Sequence, residues 1–170
     1  MKIRTAKRKD AVTLARAEAE TARSPGLLVQ KPGEIPTEAF ATKIESLKKR
    51  GRYVVAEENG KAIGHAFLDP MGLTANRHVF HLNIVVHPEF KGRGIGTALM
   101  SDLISWAQTG AKVGKIELLV RSTNTRAIAL YRRFGFTQEG RLVGRVKLPN
   151  GKLIDDLVMG WFPKRARRPN

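Results

Sequence analysis

"HPEFKGRGIGTALM" (residues 87–100) puts Gly92, Gly94 and Gly96 within five positions and then turns apolar. Pro88 ends the strand-like run "HVFHLNIVV" before it, and Leu99, Met100, Leu103, Ile104 and Trp106 recur at helical spacing after it, over 96–109. Strand, glycine-rich turn and helix start make the layout of an anion site. The first amides of a helix have no partner inside it, the helix dipole favours negative charge there, and glycine lets a phosphate approach the backbone. A Walker phosphate loop is excluded, because no Lys-Ser/Thr pair follows Gly96. A dinucleotide fingerprint fits poorly: G-x-G-x-G stands in place of G-x-G-x-x-G, and Glu117, 21 positions after Gly96, falls inside the next strand rather than at its end.

Working outward, "KIRTA" (2–6) reads as a short first strand. Asp10 can cap a helix over about 10–22, with Val12, Leu14, Ala15 and Ala19 inward. Three prolines and two glycines make 23–36 a loop whose apolar centre, Leu27-Leu28-Val29, suits a segment lying across a site or on its own core. A second helix follows from Thr37, with Phe40, Ile44 and Leu47 on one face. The period then changes to two. Asn59-Gly60 turns one hairpin, residues 78–88 make another strand, and "KIELLVR" (115–121) follows the glycine-headed helix. Residues 124–135 are a short helix stopped by Gly135, and 141–162 a last hairpin turned at Asn150-Gly151. This order predicts an α+β, mixed α/β single domain over 1–163, with one central, mostly antiparallel twisted sheet flanked by helices, and a basic tail at 164–170.

The chain of 170 residues is one domain by size and has no cysteine, which excludes disulfides, thiolate metal sites and a cysteine nucleophile. No apolar run reaches membrane-span length and no signal-peptide core is present, so the expected location is the cytoplasm, with no membrane partner. Lys+Arg 31 against Asp+Glu 15 gives a net charge of +16. Such a surface attracts polyanions such as nucleic acid, the ribosome or a phosphorylated cofactor. No motif that reads bases accompanies it, and aromatics at 6% are few for a stacking platform.

The glycine stretch resembles the acetyl-CoA signature of the GNAT superfamily of N-acetyltransferases, in which a strand and a His/Asp-Pro lead into R/Q-x-x-G-x-G/A and a helix. Lys91, Gly94 and Gly96 hold the motif positions, with lysine in place of the usual Arg or Gln. "LVRSTNTRAIALYRRFGF" (119–136) is similar to the family's second motif, with Asn124 and Tyr131 seven residues apart. The element order agrees over nearly the whole chain, and "YRRFGF" with "LPNGKLIDDLVMGW" is further similar to members that act on amino acids and small amines. The resemblance implies acetyl-CoA as co-substrate. The backbone of Gly92, Arg93, Gly94, Ile95, Gly96 and Thr97 would cradle its pyrophosphate, with Lys91 beside it. Ile84, Val85 and Val86 would offer backbone groups to the pantetheine arm, and an amide of that strand would receive the oxyanion. Asn124 would hydrogen-bond the pantetheine, and Tyr131 would protonate the leaving thiolate. A phenol near ~10 and a thiol near ~8.5 are matched closely enough for that transfer.

The resemblance also implies where a general base could stand, and this sequence has Leu119 and Phe80 there. Glu117, His78 and His81 are the nearby titratable groups, and no base is assigned. The acceptor is an amine. A basic surface repels polyamines and permits an amino acid-like small molecule or a protein amine. Asp155 and Asp156 are candidates for an acceptor ammonium or for partners of Arg145. A basic RNA- or ribosome-associated module of the same fold, and a protein N-terminal or lysine acetyltransferase, stay open as alternatives, as does a homodimer.

Overall fold

The computed structural model describes residues 1–24, 31–34, 36–109 and 112–163, so Leu27-Leu28-Val29 and the basic tail lie outside the described residues. The elements keep the expected order: β1 (Lys2–Thr5), α1 (Ala11–Ala22), α2 (Thr37–Arg50), β2 (Arg52–Glu58), β3 (Lys61–Pro70), β4 (Val79–Val86), α3 (Ile95–Thr109), β5 (Lys115–Arg121), α4 (Thr125–Arg133), β6 (Thr137–Lys147) and β7 (Leu153–Trp161). The seven strands form one sheet in the order β1-β2-β3-β4-β5-β7-β6. Asn59 and Gly60 both take positive φ at the β2–β3 turn, as a tight hairpin requires. Only β4 and β5 run parallel, because α3 carries the chain back across the sheet between them.

The period-two pattern sorts residues onto two faces. Val54, Ala56, Ala66, Leu68, Phe80, Leu82, Ile116, Leu118 and Val120 meet Leu99, Met100 and Leu103 of α3 and Ile128 and Tyr131 of α4. Tyr53 and Val55 point the other way, onto Leu14 of α1 and Ala41, Ile44 and Leu47 of α2. Full burial of a leucine such as Leu99 contributes about 1.5–3 kcal/mol, so the two cores clamp β2 and β3 from both sides.

Three local expectations change. Asp10 does not cap α1 with its side chain; its carboxylate accepts from the Lys7 amide at 2.7 Å and from Arg4 at 2.8 and 2.9 Å. That charge-assisted pair outcompetes a cap. Val12 is 66% exposed, since α1 buries Ala11, Leu14, Ala15, Ala17, Glu18 and Thr21 instead. The last hairpin also begins earlier, at Thr137, because β6 pairs with β7 as far as Thr137↔Gly160.

What positions the site is a fork. β4 pairs with β3 along its length, from Pro70↔Phe80 to Gly64↔Val86. Against β5 it pairs only at Val79↔Lys115, Phe80↔Ile116 and His81↔Glu117. Past His81 the strands separate, and β5 continues on β7 as far as Arg121↔Asp156.

Candidate active site

The fork opens into a groove of about 720 Å³ lined by Ile84, Val85 and Val86 of β4, by residues 90–92 and 94–97 of the glycine turn and α3, and by Asn124, Ala127, Leu130 and Arg133 of the α4 region. The His87 amide donates to Ile63 of β3 at 3.1 Å. Strand alternation therefore turns the polar groups of Val85 to β3 as well, and those of Ile84 and Val86 into the gap. Of the three expected β4 residues, Ile84 and Val86 turn their backbone groups to the gap, whereas Val85 turns its own to β3.

The glycine turn has the geometry expected of an anion cradle. Gly92 and Gly94 take φ of +89° and +76°, and a Cβ on Gly94 would meet nothing within 4 Å. The first non-local bond of the turn is from the Ala98 amide to Gly94 O at 3.1 Å, which leaves the amides of the first turn of α3 without backbone acceptors. Gly96 packs closely: a Cβ there would lie 3.3 Å from Leu130 Cδ2, which would have to shift slightly. Lys91 lines the groove, whereas the Arg93 side chain turns away to both carboxylate oxygens of Glu58, at 2.8 and 2.9 Å. Arg93 thus has a backbone amide to contribute and no free guanidinium. Thr97 accepts from Arg133 through its hydroxyl.

Asn124 caps α4, its Oδ1 accepting from the Ala127 amide at 3.2 Å, so its amide NH₂ is the group left for a ligand. Tyr131, 7% exposed, is part of the buried core with its ring tilted against Phe136 at 5.8 Å, and it is not among the residues that line the groove. Burial pushes its hydroxyl well above the ordinary 10. The same dry surroundings would raise a thiol, so donor and acceptor shift in one direction.

Arg126, Arg133, Phe90 and Thr21 also line the groove and were not singled out in the sequence. Arg126 and Arg133 are seven residues apart, two helical turns, and that spacing beside the second motif was the available signal. Thr21 comes from α1 and carried no signal. Behind it lies a buried polar cluster: Tyr53 Oη and His65 Nδ1 share a hydrogen bond at 2.9 Å, and His65 Nε2 approaches Glu18 Oε1 at 3.3 Å without hydrogen-bond alignment. Burial raises Glu18 to about 7, lowers His65 to about 3 and lowers His87 to about 4.

On the face away from α3 and α4, the fork vertex holds His81 and Glu117 side by side. Burial lowers His81 below the ordinary 6.5, against the opposing pull of Glu117 and Asp69. Glu117 reaches Lys115 at 3.4 Å, and Lys115 also holds Glu139 at 2.7 Å. His78 packs against Gly114, Phe80 is buried against Trp106, and Leu119 is 38% exposed beside the gap. Asp155 is taken by Arg141 and the Gly144 amide, which hold its carboxyl below the usual range, and Asp156 by Arg121.

A fork between a parallel strand pair, with a glycine turn and free helix amides at its mouth, defines an acyl-CoA-binding transferase fold. Residues 18–136 match the acetyltransferase (GNAT) family, and the chain belongs to that family. It is 32% identical over 108 residues to the L-amino acid N-acetyltransferase AaaT of Escherichia coli, and 33% identical over 108 residues to the N-alpha-acetyltransferase RimI of Mycobacterium tuberculosis. Each match spans 64% of this chain and 66% of the relative. A GNAT acetyltransferase from Streptococcus pneumoniae superposes with a TM-score of 0.86 at 26% identity, covering 95% of this chain and 98% of that one. The Salmonella typhimurium acetyltransferase yncA, solved with acetyl-CoA, shares the fold with a TM-score of 0.88 at 22% identity, covering 100% and 98%. Among the described residues no helix is long and apolar enough to cross a membrane.

Proposed function

We propose that this protein is an acetyl-CoA-dependent N-acetyltransferase in which a primary amine attacks the thioester directly in a ternary complex. The observation that carries this reading is the fork: β4 leaves β5 after His81 and turns the polar groups of Ile84 and Val86 into a groove that ends on unpaired helix amides. Acetyl-CoA supplies the activated acetyl group. The amides from Gly92 to Thr97 receive the pyrophosphate, while Lys91, Arg126 and Arg133 add charge around it. Ile84 and Val86 pair with the pantetheine arm, Asn124 donates its side-chain amide to it, and an amide on the open edge of β4 receives the oxyanion. Tyr131 gives its proton to the leaving thiolate. His81, neutral at the vertex, takes the proton of the amine. The relatives named for amino acid and protein N-terminal acetylation support an amino acid-like or peptide amine as acceptor. The test is a thermal melt with acetyl-CoA, followed by a discontinuous thiol assay over an amine panel. A shift with acetyl-CoA and release of CoA only when amine is present is the expected result; no shift sinks the reading.

A second association is favoured by one observation. A cleft of about 800 Å³ at the other end of α3 is lined by Lys48, Lys49, Arg50, Arg77, Lys112 and Trp106, among others. It is where RNA would sit if the charge of +16 serves nucleic-acid association in the cytoplasm. Salt-sensitive RNA binding that Lys49→Glu/Arg77→Glu removes, with acetyl-CoA binding intact, is the expected sign.

A further inference from the structure

The fork has two banks and two faces, and the groove is lined mainly from the face of α3 and α4, with Thr21 and Val85 reaching it from the other. Counting on from His81↔Glu117, residue 121 on β5 stands across the gap from residue 85 on β4. Ile116, Leu118 and Val120 point into the α3 and α4 core, so Leu119 and Arg121 point to the opposite face, where an acceptor can approach. Leu119 is 38% exposed, and this face is therefore open beside the gap.

Arg121 is 7% exposed and its Nη1 donates to Asp156 Oδ1 at 2.6 Å; Asp156 is fully buried. The pair is incomplete. Arg121 Nε and Asp156 Oδ2 are both buried without a hydrogen-bond partner. Arg145 of β6, half exposed, brings its Nε to 3.3 Å from that Oδ2 without closing a hydrogen bond. Asp155 next to them is already matched by Arg141 at 2.6 Å and by the Gly144 amide at 2.7 Å. By strand alternation Asp155 and Arg141 lie on the other face with Leu157, so on this face two arginines, Arg121 and Arg145, meet the single carboxylate of Asp156, with one positive charge left over. A buried guanidinium with an unpaired N–H is costly unless a ligand completes it. Asp156 meanwhile fixes the guanidinium, so little side-chain entropy remains to be lost on binding. An ammonium group would meet that surplus positive charge here and be repelled, whereas a carboxylate would be drawn in.

We infer that Arg121, oriented by Asp156 and joined by Arg145, receives a carboxylate of the acceptor on the β5 bank of the fork, and so selects amines that carry a carboxylate close by, as α-amino acids do. This rests on the acetyltransferase reading and goes on to name the acceptor class of the same site. The carboxylate is held on the β5 bank, and the amine, two bonds away, is left facing the gap beside His81.

The test compares L-amino acids with their α-amides and with the matching amines that lack the carboxyl group. Acetyl-CoA binding is measured separately by calorimetry. Wild-type kcat/KM is expected to favour the acid over its amide by about 10²-fold, because the amide leaves the guanidinium unpaired. Arg145→Gln, at an exposed position that tolerates change, is expected to reduce that preference about 10-fold, read as a rise in KM for the acids. Arg121→Lys is expected to remove most of the preference, with its fold checked by its melt. If Arg121→Lys fails to fold, Arg145→Gln still decides. Amides used as well as acids, with transfer otherwise normal, overturn the anchor and leave the acetyltransferase reading standing. No acetyl-CoA binding and no transfer to any amine overturn both.

Discussion

The two sides of the fork are made of different material. The acetyl-CoA side is mainly backbone: Gly92 and Gly94 at positive φ, the free amides of α3, and the outward polar groups of Ile84 and Val86, with the side chains of Lys91, Asn124, Arg126 and Arg133 around them. The acceptor side is side chains: His81, Glu117, Leu119, Arg121, Arg145 and Asp156, drawn from four strands. On this reading a ligand shared by a whole family is held mainly by groups that every residue carries. The partner that varies from member to member is left to groups that a single substitution can change. Damage to the first side should therefore be large and insensitive to the acceptor, and damage to the second side smaller and acceptor-specific.

The largest effect tests the backbone side. Gly94→Glu puts a carboxylate where nothing lies within 4 Å of a Cβ, and it strains a φ of +76°. Acetyl-CoA affinity should fall by at least ~10³-fold in calorimetry for every acceptor, since the new charge opposes the phosphates. Retained affinity would break the comparison at its root. Next, Tyr131→Phe keeps the ring on Phe136 and removes only the acid. We expect kcat to fall by about 10²–10³ with the dissociation constant of acetyl-CoA unchanged, read by stopped-flow and calorimetry.

On the acceptor side, His81→Gln should lower kcat/KM by about 10–10²-fold at pH 7. Burial sets the His81 pKa below 6.5, so the imidazole is neutral above that pH and the wild-type profile falls only on its acid side. The groups facing it are Asp69 of β3, Lys43 of α2 and Glu117 of β5. In the variant that acid limb disappears, and the rate climbs instead with the ionisation of the amine itself. An unchanged profile would move the proton acceptor elsewhere.

The smallest effect is on stability. Glu18 is raised to about 7 from an ordinary 4.5 by burial, so the folded chain holds a proton that the unfolded chain loses between those values. The stability contributed by protonated Glu18 is complete below pH 4.5 and lost as pH rises through 7, a swing of about 2–3 kcal/mol. His65 and His87, lowered to about 3 and about 4, act oppositely: their contribution is complete above 6.5 and lost as pH falls towards those values. Glu18→Gln should therefore shrink the fall in Tm between pH 5 and 8 by about 5 °C, measured by calorimetric melts.

Legibility followed the same division. The glycine turn was readable as a candidate because phosphate binding demands particular residues at fixed local spacing, and Asn124 and Tyr131 as candidates because one short helix and its cap carry both. Arg126 and Arg133 needed the groove to reveal that α4 presents them to it. The Arg93 side chain could not be read, because its partner Glu58 is 35 residues away. Asp10 looked like a cap until Arg4 and Lys7 claimed its carboxylate.

The sequence by itself determined the family, the order of elements and the positive-φ glycine turn at the head of α3, since each is a short-range pattern set by backbone geometry. Only the tertiary structure decided where β4 and β5 part, which polar groups of β4 face the gap, and that Arg121, Arg145 and Asp156 meet on the far bank. Those facts depend on register between residues 35 and 36 apart in the chain, Arg121↔Asp156 and His81↔Glu117. Register is settled by the packing of both faces of the sheet together, so no local stretch contains it.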